Sequence, residues 1–182
     1  MLSYTSNSLK KIVEVYKGFD NLREVVDVGG GIGTMSSLIY SKYPHIKCIN
    51  YDLPHVIEEA PLFPGVKQVA GEMFVSVPKA DTVFMKSVLP NWDDEDCVKA
   101  LKNSYEALPE KGMAIVVEIV YSDGQEGMAE EDVLMMVMLS GGKERTLAEF
   151  EDLAKRAGFC SVKLVCSIGN YSVMEFYKVE CS

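Results

Sequence analysis

The stretch Val25-Val26-Asp27-Val28-Gly29-Gly30-Gly31-Ile32-Gly33-Thr34 constrains this chain more than any other. Val25, Val26 and Val28 are β-branched and favour a buried strand. Gly29, Gly31 and Gly33 follow at once, where a turn must bend tightly and admit a ligand to the bare backbone. The spacing is Gly-x-Gly-x-Gly, distinct from the Gly-x-Gly-x-x-Gly of the dinucleotide fingerprint. A carboxylate follows at an informative distance. Asp52 closes the next strand, Ile46-Lys47-Cys48-Ile49-Asn50-Tyr51, about twenty residues on, where a ribose-binding acid belongs. Turn and acid together predict a nucleoside-bearing cofactor in a doubly wound α/β sheet.

At 182 residues the chain is expected to be one domain over residues 1–182. A formal net charge of -9 argues against nucleic acid or an anionic membrane as partner. Five cysteines, Cys48, Cys97, Cys160, Cys166 and Cys181, form no Cys-x-x-Cys pair and read as reduced thiols of a cytoplasmic protein. No apolar run reaches membrane-spanning length, and no signal peptide is expected.

Leu9, Ile12, Val13 and Tyr16 predict one apolar face of a helix over 3–17. After the pivotal strand, a helix is expected over 34–43, ended by Pro44, and a short one over 55–60 behind Pro54. Strands are expected at 66–70 and 82–86. Asp93-Asp94-Glu95 opens a helix to Ala107, acids at its N-terminus suiting the dipole. The apolar run 113–120 reads as a central, doubly covered strand. Residues 122–131 read as a loop and 133–139 as a short methionine-rich helix. Gly141-Gly142 makes a turn. Thr146 and Glu149 predict a capping box for a helix to Ala157. Residues 162–166 and 172–178 pair as terminal strands.

Six motifs then occur in order: Val26 to Gly33, Asn50-Tyr51-Asp52-Leu53-Pro54-His55-Val56, Gly71-Glu72-Met73-Phe74, Phe84-Met85-Lys86, Asn91-Trp92-Asp93-Asp94-Glu95 and Gly141-Gly142-Lys143-Glu144-Arg145-Thr146. The chain closely resembles the C-terminal catalytic domain of the plant S-adenosylmethionine-dependent O-methyltransferases of the caffeic acid and flavonoid type. The resemblance implies a Rossmann-like class I methyltransferase fold. That fold is a mainly parallel seven-stranded sheet with an antiparallel terminal hairpin and helices on both faces. It implies S-adenosylmethionine, and S-adenosylhomocysteine as its product, with a small aromatic acceptor. Gly29, Gly31, Asp52, Leu53, Glu72, Met73, Phe74 and Lys86 become the cofactor-binding candidates. Glu72 stands where the family has Asp. Trp92, Met135 and Met138 become acceptor-pocket candidates, with Met128 and Met136 as core or pocket alternatives. The family dimerises through an N-terminal helical domain, which this sequence does not contain. That dimer is therefore not expected, and other self-association stays open.

The chemistry departs from the family at one position. Phenol methylation needs a phenolate, and a free phenol has a pKa of about 10, so a positioned base matters near neutrality. The resembled family supplies a histidine just before the Asp/Asn-Trp pair; here Pro90 stands there. His45 precedes the second strand, at the end of the sheet away from ligands, and His55 belongs to the ribose side. The two flanking acids remain as Glu118 and Glu144. With a histidine they would orient the imidazole; alone, either is a weak base only if burial raises its pKa. Two functions follow. One is methyl transfer to a phenolic acceptor with impaired catalysis; the other is a cofactor-binding pseudoenzyme with a regulatory, partner-binding or non-methylating role. A nicotinamide oxidoreductase is a weaker third, disfavoured by the glycine spacing.

Overall fold

The computed structural model describes residues 2–121 and 142–179. In chain order the elements are α1 (Leu2–Val15), β1 (Glu24–Val28), α2 (Thr34–Lys42), β2 (Lys47–Asp52), α3 (Pro54–Glu59), β3 (Val66–Ala70) and β4 (Thr82–Lys86). A 3-10 turn (Leu89–Asn91) follows, then α4 (Asp94–Ala107), β5 (Met113–Tyr121), β6 (Arg145–Thr146), α5 (Leu147–Ala157), β7 (Ser161–Ile168) and β8 (Tyr171–Tyr177). The expected loop over 122–131 and helix over 133–139 lie outside the described residues, as do Met128, Met135, Met136 and Met138.

The strand order is β3-β2-β1-β4-β5-β8-β7. Pairings from β3 to β5 are parallel, and β8 joins β5 and β7 antiparallel. This is the seven-strand path the resemblance implies. An eighth strand, the two-residue β6, pairs parallel with the end of β5 off that path. Two ladder positions leave no periodicity to read, so the sequence did not announce it.

The sheet is buried on both faces. On β4, Val83 and Met85 belong to one core and Phe84 to the other. On β5, Ala114 and Val116 face the first core, Ile115 and Val117 the second. This alternation within an all-apolar run is what a doubly covered strand requires. The first core is closed by α4 and α5 through Cys97, Leu101, Phe150 and Leu153, the second by α1 and α2 through Leu9, Ile12, Val13 and Ile39.

Helix ends follow their residues. Asp93 proves to be the N-cap of α4, its side chain accepting from the Asp96 N–H at 2.9 Å, so the helix begins one residue later than expected. Thr146 and Glu149 form the expected capping box, and Gly158 ends α5 in the left-handed region at φ 109°. From β1 the chain steps outward through β2 to β3, then returns to place β4 on β1's other side. The order reverses between β1 and β4, and the crevice outside their carboxyl ends is where such sheets bind ligands.

Candidate active site at the strand tips

At the β1 tip the backbone turns through Gly29 (φ 68°), Gly31 (φ 59°) and Gly33 (φ 91°), all in the region that L side chains avoid. Gly30 is required for a different reason. A Cβ there would lie 2.1 Å from Asn50 Oδ1 and 2.7 Å from Asp27 Cγ. The turn rests on these two buried polar side chains. Asn50 donates from Nδ2 to the Gly31 carbonyl at 2.8 Å and to Gln68 Oε1 at 2.7 Å. Asp27 Oδ2 accepts from Ser36 Oγ at 2.9 Å, and burial lifts its carboxyl to about 7 despite that bond.

Asp52 faces the turn from the next strand. Its Oδ2 accepts from the Gly31 N–H at 2.8 Å and its Oδ1 from the Leu53 N–H at 2.7 Å. A carboxylate offers about four lone-pair positions, so each oxygen keeps one for a ligand. Beside it lies a cavity of about 200 Å³. Its walls are Gly29, then Tyr51 and Asp52 from β2 with Leu53 just past its end, Gly71 to Met73 from the segment after β3, and Ser87, Val88, Asn91 and Trp92 from the segment after β4. Phe74 stands behind this wall, edge-on to Trp92 with ring centroids 4.7 Å apart. The Met73 carbonyl is fixed by Asn103 Nδ2 at 2.7 Å, and Glu72 Oε1 accepts from the Phe74 N–H at 3.2 Å.

Ser87 has φ 55°, the only positive φ outside glycine among the described residues. Every polar group it carries is engaged. Its N–H donates to the Val117 carbonyl at 3.2 Å, its carbonyl accepts from Asn91 Nδ2 at 3.1 Å, and its hydroxyl accepts from Lys86 Nζ at 2.9 Å. Backbone held off its preferred region clusters at sites, and this one lines the cavity. Lys86 itself does not line it. Its ammonium lies over the Tyr171 ring, 4.1 Å from the centroid. Lys86 meets the cavity wall through Ser87, whose hydroxyl accepts from its ammonium.

Glu118 lies against the 3-10 turn that carries Pro90, and Glu144 stands near enough for its charge to act on Glu118. Glu118 is buried at the end of the apolar part of β5, and its Oε1 accepts from the Val88 and Leu89 N–H groups at 2.9 and 3.2 Å. It caps the amino end of the turn that carries Pro90. Burial lifts its carboxyl to about 8 against those two bonds; the Glu144 charge adds to the lift and the Lys86 cation opposes it. Gly142 packs its backbone on that same turn, because a Cβ there would sit 2.4 Å from the Pro90 carbonyl oxygen. Proline is compatible with this arrangement, since no described bond calls for an N–H at that position.

Asp52, Leu53, Glu72, Met73, Trp92 and Gly29 thus share one cavity, Gly31 gives its N–H to Asp52, and Phe74 buttresses the wall. The acceptor candidates Met135 and Met138 fall outside the described residues. His45 and His55 are exposed, and neither is among the cavity residues. Besides Ser87, three polar side chains of the site escaped sequence reasoning. Asp27 was visible as a lone acid inside a β-branched strand. Asn50 was a polar residue inside a strand buried on both faces. Arg145 stood inside a recognised motif without an assigned task. No group of three or more His, Cys, Asp or Glu among the described residues is placed to hold a metal ion. Among them, too, no helix is long and apolar enough to cross a membrane. The arrangement can therefore hold a polar diol at Asp52, flat or polarizable groups against Met73 and Trp92, and a proton on Glu118.

Comparison with known proteins agrees with this geometry. The family model described as an O-methyltransferase domain matches residues 1–160. Caffeic acid 3-O-methyltransferase of Medicago sativa is 52% identical over 184 aligned positions, spanning 98% of this chain and 50% of that protein. Myricetin 3'-O-methyltransferase 4 of Solanum lycopersicum is 48% identical, spanning 98% and 51%. The chain spans about half the length of the curated relatives it matches. Among solved structures, LaPhzM superposes with a TM-score of 0.86 at 29% identity, over 97% of this chain and 55% of that one. CalO1, a methyltransferase in calicheamicin biosynthesis in its SAH-bound form, superposes with a TM-score of 0.83 at 27% identity, over 98% and 55%.

Proposed function

The chain belongs to the O-methyltransferase family, and on that premise we propose that it binds S-adenosylmethionine in the crevice between Gly29 and Trp92 and serves methyl transfer to a small phenolic acceptor, with proton removal impaired. One observation carries the reading. A carboxylate with spare lone pairs, a bare glycine backbone and an apolar wall meet in one cavity at the point where the strand order reverses.

The residues present fit this cofactor. Asp52 has one free position on each oxygen for a vicinal pair of hydroxyls. Nothing lies within 4 Å of where a Gly31 Cβ would project, so the turn is open on that side. Met73 and Trp92 offer polarizable and aromatic surface to a purine. Glu72, one methylene longer than the family's Asp, holds the Phe74 N–H and shapes the same wall. When bound, S-adenosylmethionine supplies an electrophilic methyl group. The chain's own part is to orient the acceptor, exclude water and accept its proton.

The last of these is where the chain is deficient. Pro90 has no titratable group. Glu118 spends one oxygen on two backbone N–H groups and, with its carboxyl raised to about 8, holds its own proton at neutral pH. A carboxyl that is already protonated takes no second proton. Loss of a general base costs about 10²–10⁴-fold. The same observation favours the second reading, a cofactor-binding pseudoenzyme whose role is regulatory, partner-binding or otherwise non-methylating. A methyl-transfer assay with catechol and flavonoid acceptors separates the two. Slow transfer by the parent chain and a gain of about 10²-fold or more in Pro90→His support the first. No product from either chain, with cofactor bound, supports the second. Transfer by the parent at the rate of Pro90→His contradicts the deficiency.

A further inference from the structure

We propose that Arg145 is the positioning residue of this site: from behind the wall, its buried guanidinium fixes where Asn91 and Trp92 stand in the cavity. The turn that carries them spans only Leu89–Asn91. A 3-10 turn of that length has poor hydrogen-bond geometry and little stability of its own, so its position is set from outside.

Arg145 does this from the first residue of β6, 1% exposed. Nη1 donates to the Leu89 carbonyl at 3.0 Å and Nη2 to the Trp92 carbonyl at 2.9 Å. These two carbonyls bracket Pro90 and Asn91. Nη1 also donates to the Lys143 carbonyl at 3.1 Å, while Nε and Nη2 converge on Asp94 Oδ1 at 3.0 and 2.8 Å. The planar fork is what lets one side chain serve carbonyls and a carboxylate at once. Asp94 is 41% exposed at its side chain, a half-solvated partner for a fully buried cation. Burying a guanidinium with such a partner is a weak device for stability alone, since an apolar residue of similar size often does as well. Holding two carbonyls at a fixed place on the cavity wall is a task that needs the charge and the fork.

Glu118 takes the Val88 and Leu89 N–H groups where the turn begins, and Arg145 takes the Leu89 carbonyl and, just past the turn, the Trp92 carbonyl. The turn is thus held from two sides by side chains distant in sequence. Trp92 in turn meets Phe74 edge-on, so the position Arg145 imposes passes to the Gly71 to Phe74 side of the cavity.

The chain has a single tryptophan, Trp92, so intrinsic emission reports this wall alone. The experiment uses the full chain and compares it with Arg145→Met, Arg145→Lys and Ile12→Ala. Ile12 is buried in the core on the opposite face of the sheet and supplies a general loss of stability. The readouts are Trp92 emission and acrylamide quenching without ligand, and affinity for S-adenosylhomocysteine by calorimetry. Arg145→Met is expected to shift emission to the red, raise quenching about twofold and weaken S-adenosylhomocysteine about tenfold, the loss of roughly one charged hydrogen bond. Arg145→Lys, with the charge but not the fork, is expected to recover part of both. Ile12→Ala is expected to lower stability and leave both unchanged. Wild-type emission and affinity in Arg145→Met overturn the proposal, and so does an equal loss in Ile12→Ala. Should Arg145→Met fail to fold, Arg145→Lys decides on the same readouts: a shift in both that Ile12→Ala lacks supports the proposal, and no shift overturns it. The affinity readout rests on the proposed cofactor. If the parent chain binds no S-adenosylhomocysteine, that reading fails, while the ligand-free emission still decides on Arg145.

Discussion

Glu118→Gln should make stability less dependent on pH. Glu118 has a folded-state carboxyl raised to about 8 from its ordinary 4.5, chiefly by burial. Between those limits the folded chain keeps a proton that the unfolded chain has released. The folded state binds more protons, so stability falls as pH rises through that window. Each pH unit inside it costs about 1.4 kcal/mol, so the wild type should lose about 2–3 kcal/mol relative to the variant between pH 5 and 7.5. Glutamine keeps an oxygen for the Val88 and Leu89 N–H groups and carries no titrating proton. Its amide adds a constant offset, which cancels when only the pH dependence is compared. Urea unfolding of both chains across that range gives the difference directly. A stability gap that widens in favour of glutamine up to about pH 8 and then levels off supports the reasoning. Parallel curves would refute it, because Glu118 would then be ionised at ordinary carboxylate pH and free to act as a base.

Three further outcomes are expected from the same geometry. Ser87→Gly should stay within about 1 kcal/mol of wild type in chemical denaturation, since glycine accepts the φ of 55°, whereas Ser87→Val should lose about 1–3 kcal/mol. Gly142→Ala drives a methyl to 2.4 Å from the Pro90 carbonyl; it should cost about 1–3 kcal/mol and shift Trp92 emission, as a strained contact on the turn would. Thr146→Ala removes one half of the capping box of α5 and should cost about 1 kcal/mol in thermal unfolding, with no change in Trp92 emission.

Where residues speak through local rules, the sequence was legible. The β-branched run before Gly29, the alternation hidden in 113–120 and the Thr146–Glu149 pair each specify their element by chemistry confined to a few neighbours. Asp52 was legible too, because strand length and crossover geometry fix how far a strand-tip acid lies from the glycine turn. The rest depends on contacts distant in sequence. Glu118 reads as an acid beside a missing base, yet it is 30 residues from the Val88 N–H it accepts from. Arg145 lies 56 residues from the Leu89 carbonyl it holds. Lys86 ends β4, and its ammonium rests over a ring from β8. No periodicity or propensity encodes such pairings. They emerge only once the sheet has brought β4, β5, β6 and β8 together.

In the function proposed above, Asp52 and the glycine turn hold the nucleoside of S-adenosylmethionine. Calorimetric titration of S-adenosylhomocysteine into the parent chain and into Asp52→Ala tests it most directly. Saturable one-to-one binding is expected for the parent, with a loss of affinity of about tenfold or more in the variant, because two hydroxyl partners go together. Binding of equal strength by both chains, or none by the parent at millimolar ligand, would contradict it.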